Sequence, residues 1–121
     1  MHGDLLYQNV LVSEDASAVT GVFSWKHSVR GDFLWDTAYC SFFSSWYAGV
    51  AAADPWAATV STLTAEQIKD VGARHHIYEL TIGARHLGDY VITNDAQNLD
   101  VARRRVAEIL ERGPLSEDLD P

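Results

Sequence analysis

The chain has 121 residues, the size of one domain, and its 47% hydrophobic content is ordinary for a globular fold. The formal net charge of −8 argues against nucleic-acid binding, which needs a basic surface, and favours a cationic small molecule as partner. No apolar run is long enough to span a bilayer and no signal peptide opens the chain, so a cytoplasmic protein without membrane contact is predicted. The single cysteine, Cys40, excludes an internal disulfide and is interpreted as an inert buried thiol.

Two short β-prone runs come first, at residues 9–12 and 19–23. The segment between them is polar and turn-like, which predicts a β-hairpin with a loop of about five or six residues. Because two strands alone are marginal in water, we expect this hairpin to pack on the helices that follow. The remaining chain has helical patterns, so the predicted fold is mainly α with a small β-hairpin.

The first predicted helix covers about 33–50, and Asp32 is placed to accept hydrogen bonds from its first-turn amides. Its apolar stripe is Trp35, Tyr39, Phe42 and Trp46, widened by Leu34, Ala38, Phe43, Tyr47 and Val50. Little polar face remains, so this helix is predicted to be central. Asp54-Pro55-Trp56 interrupts the pattern, since proline disfavours helix at the residue before it.

Two further helices have capping signals. Thr64 and Gln67 have the spacing of a capping box and predict a helix that continues to about Gly88. Asn94 has the same relation to Gln97 and is predicted to cap the last helix. Gly113-Pro114 predicts its end, and residues 115–121 are expected to be a short, frayed acidic tail.

The opening residues carry the chemistry. His2-Gly3-Asp4, with Asn9 after four intervening residues, matches the pattern H-G-D-x-x-x-x-N. A tight loop of this kind presents Asp4 as a base for a substrate hydroxyl, while the Asn9 amide oxygen can ligate a magnesium ion that bridges nucleotide phosphates. His2 is expected to brace the loop through the backbone.

Three motifs together resemble the aminoglycoside phosphotransferase family, and within it the hygromycin-B-phosphotransferase-like proteins. They are the catalytic-loop pattern at 2–11, the strand Val-Thr-Gly-Val-Phe-Ser-Trp at 19–25, and Gly-Asp-Phe-Leu-Trp-Asp at 31–36. The resemblance covers nearly the whole chain. It implies a partial protein-kinase-like C-lobe, with magnesium and ATP as cofactors and an aminoglycoside-like hydroxyl as acceptor.

Ser24 occupies the position where this family places its second metal-binding aspartate, so the metal ligands would be Asn9 and a degenerate Ser24. A neutral hydroxyl is a poorer magnesium ligand than a carboxylate, and the metal supplies much of the charge stabilisation in phosphoryl transfer. An alternative is that Lys26 pairs with phosphate in place of the cation.

The chain begins at the catalytic loop, so we expect no glycine-rich phosphate cover and no strand lysine, and no cofactor bound by the chain alone. Residues 1–114 are thus predicted to be a truncated C-lobe, with the loop and hairpin in 1–25 and the helical part in 32–114. The preferred interpretation is a domain that is not competent alone and retains a small-molecule or protein-binding role. The alternatives are a phosphotransferase completed by a separate N-lobe, and a gene fragment that folds. An exposed apolar face predicts a homodimer or a higher oligomer.

Several other polar and aromatic residues are candidates for a structural or a functional role. Asp32 and Asp36 are interpreted as structural, Asp36 as an acceptor for the catalytic-loop backbone. Trp46 and Trp56 either line a substrate pocket or pack in the core. The remaining candidates are interpreted as side chains without a site. They are His27, His75, His76 and His86, which show no paired metal spacing with carboxylates at i, i+4, and Arg103, Arg104 and Arg105, which form a solvated face pairing with Asp100 and Glu108.

Overall fold

A computed structural model describes residues 1–64 and 66–116, and within them the chain is mainly helical with one small antiparallel hairpin, as predicted. The two strands are β1 (Val10–Val12) and β2 (Val19–Val22). The helices are α1 (Leu34–Phe43), α2 (Ala48–Ala52), α3 (Pro55–Val60), α4 (Val71–Ile92) and α5 (Ala96–Arg112). No helix in these residues is both long enough and apolar enough to cross a membrane.

The hairpin has the predicted strands, but the expectation that it packs on the helices is wrong. Val10 pairs with Val22, and the register shifts between Leu11 and Val12. Leu11 is 55% and Val19 is 64% exposed, and within the described chain the strands make few contacts with any helix. The Phe23 amide donates to the Asn9 carbonyl over 3.1 Å and so closes the base of the hairpin, and the Phe23 carbonyl oxygen lies 2.7 Å from His2 Nε2 of the opening loop.

The first predicted helix is shorter than expected. The predicted span of 33–50 ends as an α-helix at Phe43, and a turn at 44–47 separates α1 from α2. The Ser44 hydroxyl donates to the Ser41 carbonyl over 2.7 Å, while the Trp46 amide reaches back three residues to the Phe43 carbonyl. Serine side chains that bond the preceding turn compete with helical hydrogen bonds, which explains why the helix stops without glycine or proline.

The core lies where α1 crosses α4 and α4 packs along α5. Its fully buried residues include Phe42 of α1, Ile82 of α4 and Ile109 of α5. Gly83 permits this close approach, because a Cβ there would lie 2.5 Å from Val106 Cγ2 and 3.1 Å from Phe42 Cε2. A second, smaller cluster joins α1, α3 and the start of α4 through Leu34, Trp56, Val60 and Val71.

Replacing Gly83 with alanine should destabilise the fold by about 1–2 kcal/mol, since the cost of overpacking exceeds the gain in helix propensity. Gly88 of the same helix is the matched control, because a Cβ there meets no atom within 4 Å. Gly88→Ala should stabilise by about 0.5–1 kcal/mol. Urea unfolding followed by circular dichroism measures both changes, and equal effects at the two positions would contradict the close packing at Gly83.

The termini of the last two helices differ from their predictions. Thr64 and Gln67 do exchange capping-box hydrogen bonds, but they close a turn, and α4 begins only at Val71. α4 also continues past Gly88, to Ile92.

The N-terminus of α5 is capped by Asp95 and not by Asn94, because the Asp95 carboxylate accepts a hydrogen bond from the Asn98 amide over 3.1 Å. Asn94 takes the left-handed conformation of the link, at φ 55°. Gly113 ends α5 as predicted. The tail was expected to fray from residue 115, but Leu115 packs against the second core cluster. Residues 117–121 lie outside the described residues.

Candidate functional site

The opening loop is fixed to α1 by one carboxylate. The His2 amide donates to Asp36 Oδ2 over 2.6 Å, and the Gly3 amide donates to Asp36 Oδ1 over 2.7 Å. Hydrogen bonds to an ionised acceptor are short and strong, so Asp36 sets the backbone path of the loop. Gly3 has φ +82°, and a Cβ there would lie 2.6 Å from the His27 carbonyl oxygen, so glycine is required at this bend. The contact that the sequence predicted for Asp36 is present.

His2 braces the loop from its other side. Its side chain is buried, Nε2 lies 2.7 Å from the Phe23 carbonyl oxygen, and Nδ1 lies 3.3 Å from the Asp4 amide. Because a carbonyl can only accept and an amide can only donate, these partners fix the Nε2–H tautomer. The ring also packs on Trp25, with centroids 4.7 Å apart. His2 therefore joins the loop to the end of β2 and lies beside Asp4.

The Asp4 carboxylate is held by two donors. The Tyr39 hydroxyl donates to Oδ1 over 2.9 Å, and Asn9 Nδ2 donates to Oδ2 over 3.1 Å and to the Asp4 carbonyl over 2.7 Å. Burial, reinforced by the hydrogen bond and charge of Asp4, raises the pKa of Tyr39 well above its ordinary value. Tyr39 thus stays protonated and keeps donating. Asn9 uses its nitrogen for both bonds, so its amide oxygen is the atom available to a cation.

Asp4 opens onto a small cavity of about 220 Å³. This volume lies below the range of drug-sized ligand sites, roughly 300–1,000 Å³. Its walls carry charges of both signs and are formed by Gly3, Asp4, His27, Tyr39, Arg85, His86 and Asp89. Burial lowers the pKa of His86, so this imidazole contributes a neutral wall. The cavity is suited to a few polar atoms beside the Asp4 carboxylate.

Ser24 lies two residues after the end of β2 and takes the left-handed conformation, with φ 66°. The oxygen donors that the sequence predicts for a metal are the Asp4 carboxylate, the Asn9 amide and the Ser24 hydroxyl, and together they supply a single negative charge. Magnesium bound with a triphosphate depends on several anionic oxygens. No group of three His, Cys, Asp or Glu that could hold a metal occurs among the described residues. The donor set therefore does not fit a resident magnesium–nucleotide site, and Lys26 is exposed on the following turn.

Asp32 is structural, as its position before a helix predicts. Its Oδ1 accepts the Leu34 amide over 3.1 Å at the start of α1. Its Oδ2 accepts the Tyr78 hydroxyl over 3.2 Å and lies 3.7 Å from Arg74 Nε. Asp32 thereby ties the start of α1 to α4, and the charge of Asp32, after burial, raises the pKa of Tyr78.

The two tryptophans proposed for a substrate pocket have different positions. Trp56 is buried in the second core cluster against the His75 ring, with centroids 4.8 Å apart, so the core-packing alternative describes it. Trp46 is half-buried, and its Nε1 donates to Asn98 Oδ1 over 2.9 Å. Its ring lines a large apolar cavity bounded by α2 and α3.

The sequence interpretation missed a buried charge cluster around Glu79. His75 and Glu79 lie one helical turn apart, both fully buried, with Nδ1 3.3 Å from Oε2. Glu79 also pairs with Arg105 and Arg112 of α5. The statement that the histidines lack a carboxylate at this spacing is therefore wrong for His75. Arg104 does pair with Asp100 on the surface, but Arg105 of the same run is largely buried.

The signal for this cluster was in the sequence, because Glu79 interrupts an apolar face four residues after His75. Its four side chains bind one another and the Ser41 carbonyl, which accepts from Arg105 over 2.8 Å. They lie on the helices of the core and stabilise its packing. The cluster is structural.

Comparison with known proteins adds no relative: no protein-family model matches the chain, and neither a curated protein nor a solved structure does.

Proposed function

We propose that this chain is a catalytic-lobe segment of the aminoglycoside-phosphotransferase type, with a kinase-like C-lobe arrangement and a degenerate metal site. Its expected role is to bind a small molecule or a protein, and by itself it does not transfer phosphate. The observation that carries the proposal is the loop geometry. Asp36 holds the loop backbone through two amides, while Tyr39 and Asn9 hold the Asp4 carboxylate.

The environment of Asp4 supports its proposed role as a base. Asp4 faces a small polar cavity, where its carboxylate can accept the proton of a hydroxyl placed within hydrogen-bond reach. Tyr39 and Asn9 orient the carboxylate without neutralising it, because both donate to it. The charge that develops in phosphoryl transfer would be poorly stabilised, since Ser24 stands where the family has a metal-binding aspartate.

Restoring that carboxylate is the most direct test. The wild-type protein should show no saturable binding of magnesium with ATP at millimolar concentrations, whereas Ser24→Asp should bind saturably, with a Kd at least about tenfold below the highest concentration tested. The backbone favours this change, because aspartate tolerates the left-handed region better than serine. Isothermal titration calorimetry with magnesium and ATP measures the difference.

Ser28→Asp is the matched control, because it adds the same charge on the exposed turn after Ser24. A gain in both variants would indicate general electrostatic attraction and would count against a metal position at Ser24. Wild-type turnover of ATP onto an aminoglycoside hydroxyl, lost in Asp4→Asn, would overturn the proposal.

A second candidate is an ATP- and magnesium-dependent phosphotransferase completed by a nucleotide-binding lobe. The exposed hairpin favours it, because apolar side chains on adjacent strands are left uncovered at Leu11, Val12, Val19 and Phe23. A lobe packed there would supply the phosphate-binding groups that the family places outside this segment. Light scattering of the isolated chain separates the possibilities, since a stable homodimer would mean that a second copy covers this surface.

A further inference from the structure

A second cavity, larger than the one at Asp4, lies beside the opening loop. Its volume is about 730 Å³, within the range of small-molecule sites, roughly 300–1,000 Å³. Tyr7 forms its loop side, Cys40 and Trp46 the side of α1, and residues of α2 and α3 the remaining wall. The cavity exists because the chain turns sharply at 44–47, which brings α2 and α3 opposite the loop.

The walls of this cavity carry no charge, since none of the described residues that line it is Asp, Glu, Lys, Arg or His. Two of its side-chain donors are already used. Trp46 Nε1 donates to Asn98, and the Cys40 thiol donates to the Leu5 carbonyl over 2.9 Å. Burial raises the pKa of Cys40 to about 11, with a further contribution from the Asp36 charge, so this wall stays neutral.

Aromatic rings form one end of the cavity. Tyr7 and Tyr47 meet edge to face, with centroids 5.1 Å apart and planes at 82°, and Trp46 lies next to Tyr47 in the chain. Such rings offer faces and edges to a flat aromatic ligand, and pairs of this kind contribute beyond the area they bury. The tyrosine hydroxyls are the polar side-chain groups left to orient a ligand.

We propose that this cavity is a binding site for an uncharged aromatic small molecule. A polyamine or an aminoglycoside needs carboxylates to replace its hydration, and the cavity walls supply none. An anionic ligand would find no cation in the walls and would meet a protein of net charge −8. The cationic partner expected from composition therefore does not suit this cavity. The proposal names a ligand class for the small-molecule role in the proposed function, and because it needs neither nucleotide nor metal, its test is separate from that of the metal position at Ser24.

The test uses 2-naphthol as the probe, with spermidine as the cationic comparison, in calorimetry and in Trp fluorescence of the full chain. Wild-type protein should bind 2-naphthol saturably and one to one, and should bind spermidine at least about tenfold more weakly. Gly49 lines the cavity, and a Cβ there meets no atom within 4 Å, so a leucine fits and fills part of the space. Gly49→Leu should weaken 2-naphthol binding at least about tenfold.

Gly88→Leu is the matched control, because Gly88 is also an exposed helical glycine with open space around it, but does not line the cavity. It should bind 2-naphthol as the wild type does. Ala58→Leu, on the α3 wall, is a second blocking variant should Gly49→Leu fold poorly by circular dichroism. Absence of saturable 2-naphthol binding, tighter spermidine binding, or unchanged affinity in folded blocking variants would each overturn the proposal.

Discussion

Replacing Glu79 with glutamine is expected to destabilise the protein by about 3–5 kcal/mol, the cost of breaking a buried ion pair by removing one partner. Glu79 is fully buried on α4, 3.3 Å from His75 Nδ1 and 3.4 Å from Arg105 Nη2, and it accepts from Arg112. Glutamine keeps the shape and loses the charge. Its amide nitrogen would face a guanidinium, so Arg105 and Arg112 would lose their shared counter-ion.

The matched control is Glu108→Gln. Glu108 pairs with the same Arg105 over 3.4 Å, but its side chain is 61% exposed. The identical chemical change should cost less than about 1 kcal/mol there, because exposed ion pairs contribute little. Urea unfolding of both variants at neutral pH, monitored by circular dichroism, measures the two costs. Similar costs at the two positions would mean that burial of Glu79 does not set the size of the effect.

The difference in stability between the wild type and Glu79→Gln should depend on pH. Burial by itself raises the pKa of Glu79, but the hydrogen bonds and charges of His75 and Arg112 outweigh it and hold the pKa below its ordinary value of 4.5. A carboxyl whose pKa is lowered by folding stabilises the native state fully above that ordinary value. This stabilisation is lost as the pH falls through the lower folded value. The stability difference between wild type and Glu79→Gln should therefore narrow below about pH 4.5, and a constant difference would contradict the assignment.

Local signals in the sequence predicted the elements well where neighbours along the chain determine them. The β-prone runs, the glycine at 113 and the carboxylate before α1 each act within a few residues, and each is present as expected. The cap of α5 differed by one residue because Asn94 and Asp95 are both good caps, and Asp95 had the better partner in Asn98.

The remaining features depend on packing that no local pattern encodes. The stripe from Trp35 to Trp46 is compatible with one long helix, and a long helix would have had no cavity. The turn at 44–47 separates that stripe into a core part and a cavity wall, so Phe42 is buried while Trp46 is half-exposed. The Glu79 cluster likewise needs residues from α4 and α5 at one height of the bundle. For the opening loop, by contrast, the sequence analysis already identified Asp36 as an acceptor for its backbone.

Removing that acceptor with Asp36→Ala should destabilise the protein by about 3 kcal/mol, since two charge-assisted hydrogen bonds of about 1.5–3 kcal/mol each are lost and water partly replaces them. The His2 and Gly3 amides would lose their acceptor at the bend where Gly3 already has a positive φ. Asp36→Asn should cost about half as much, because its amide oxygen can accept one of the two bonds while its nitrogen faces the other amide. Asp100→Ala is the control, since Asp100 is exposed and pairs with Arg104 on the surface.

Hydrogen exchange distinguishes loss of the loop from general destabilisation. In Asp36→Ala the amides of residues 2–4 should exchange much faster, at concentrations of denaturant where α4 and α5 remain protected. If Asp36 merely supports the core, protection would fall evenly across the helices and the loop. Asp4 is positioned through this backbone. A selective loss of protection at residues 2–4 would therefore show that the two short bonds accepted by Asp36 fix the Asp4 carboxylate relative to α1. Asp36 would then be a positioning residue for Asp4, acting 34 residues away from His2 in sequence and in direct contact with it in space.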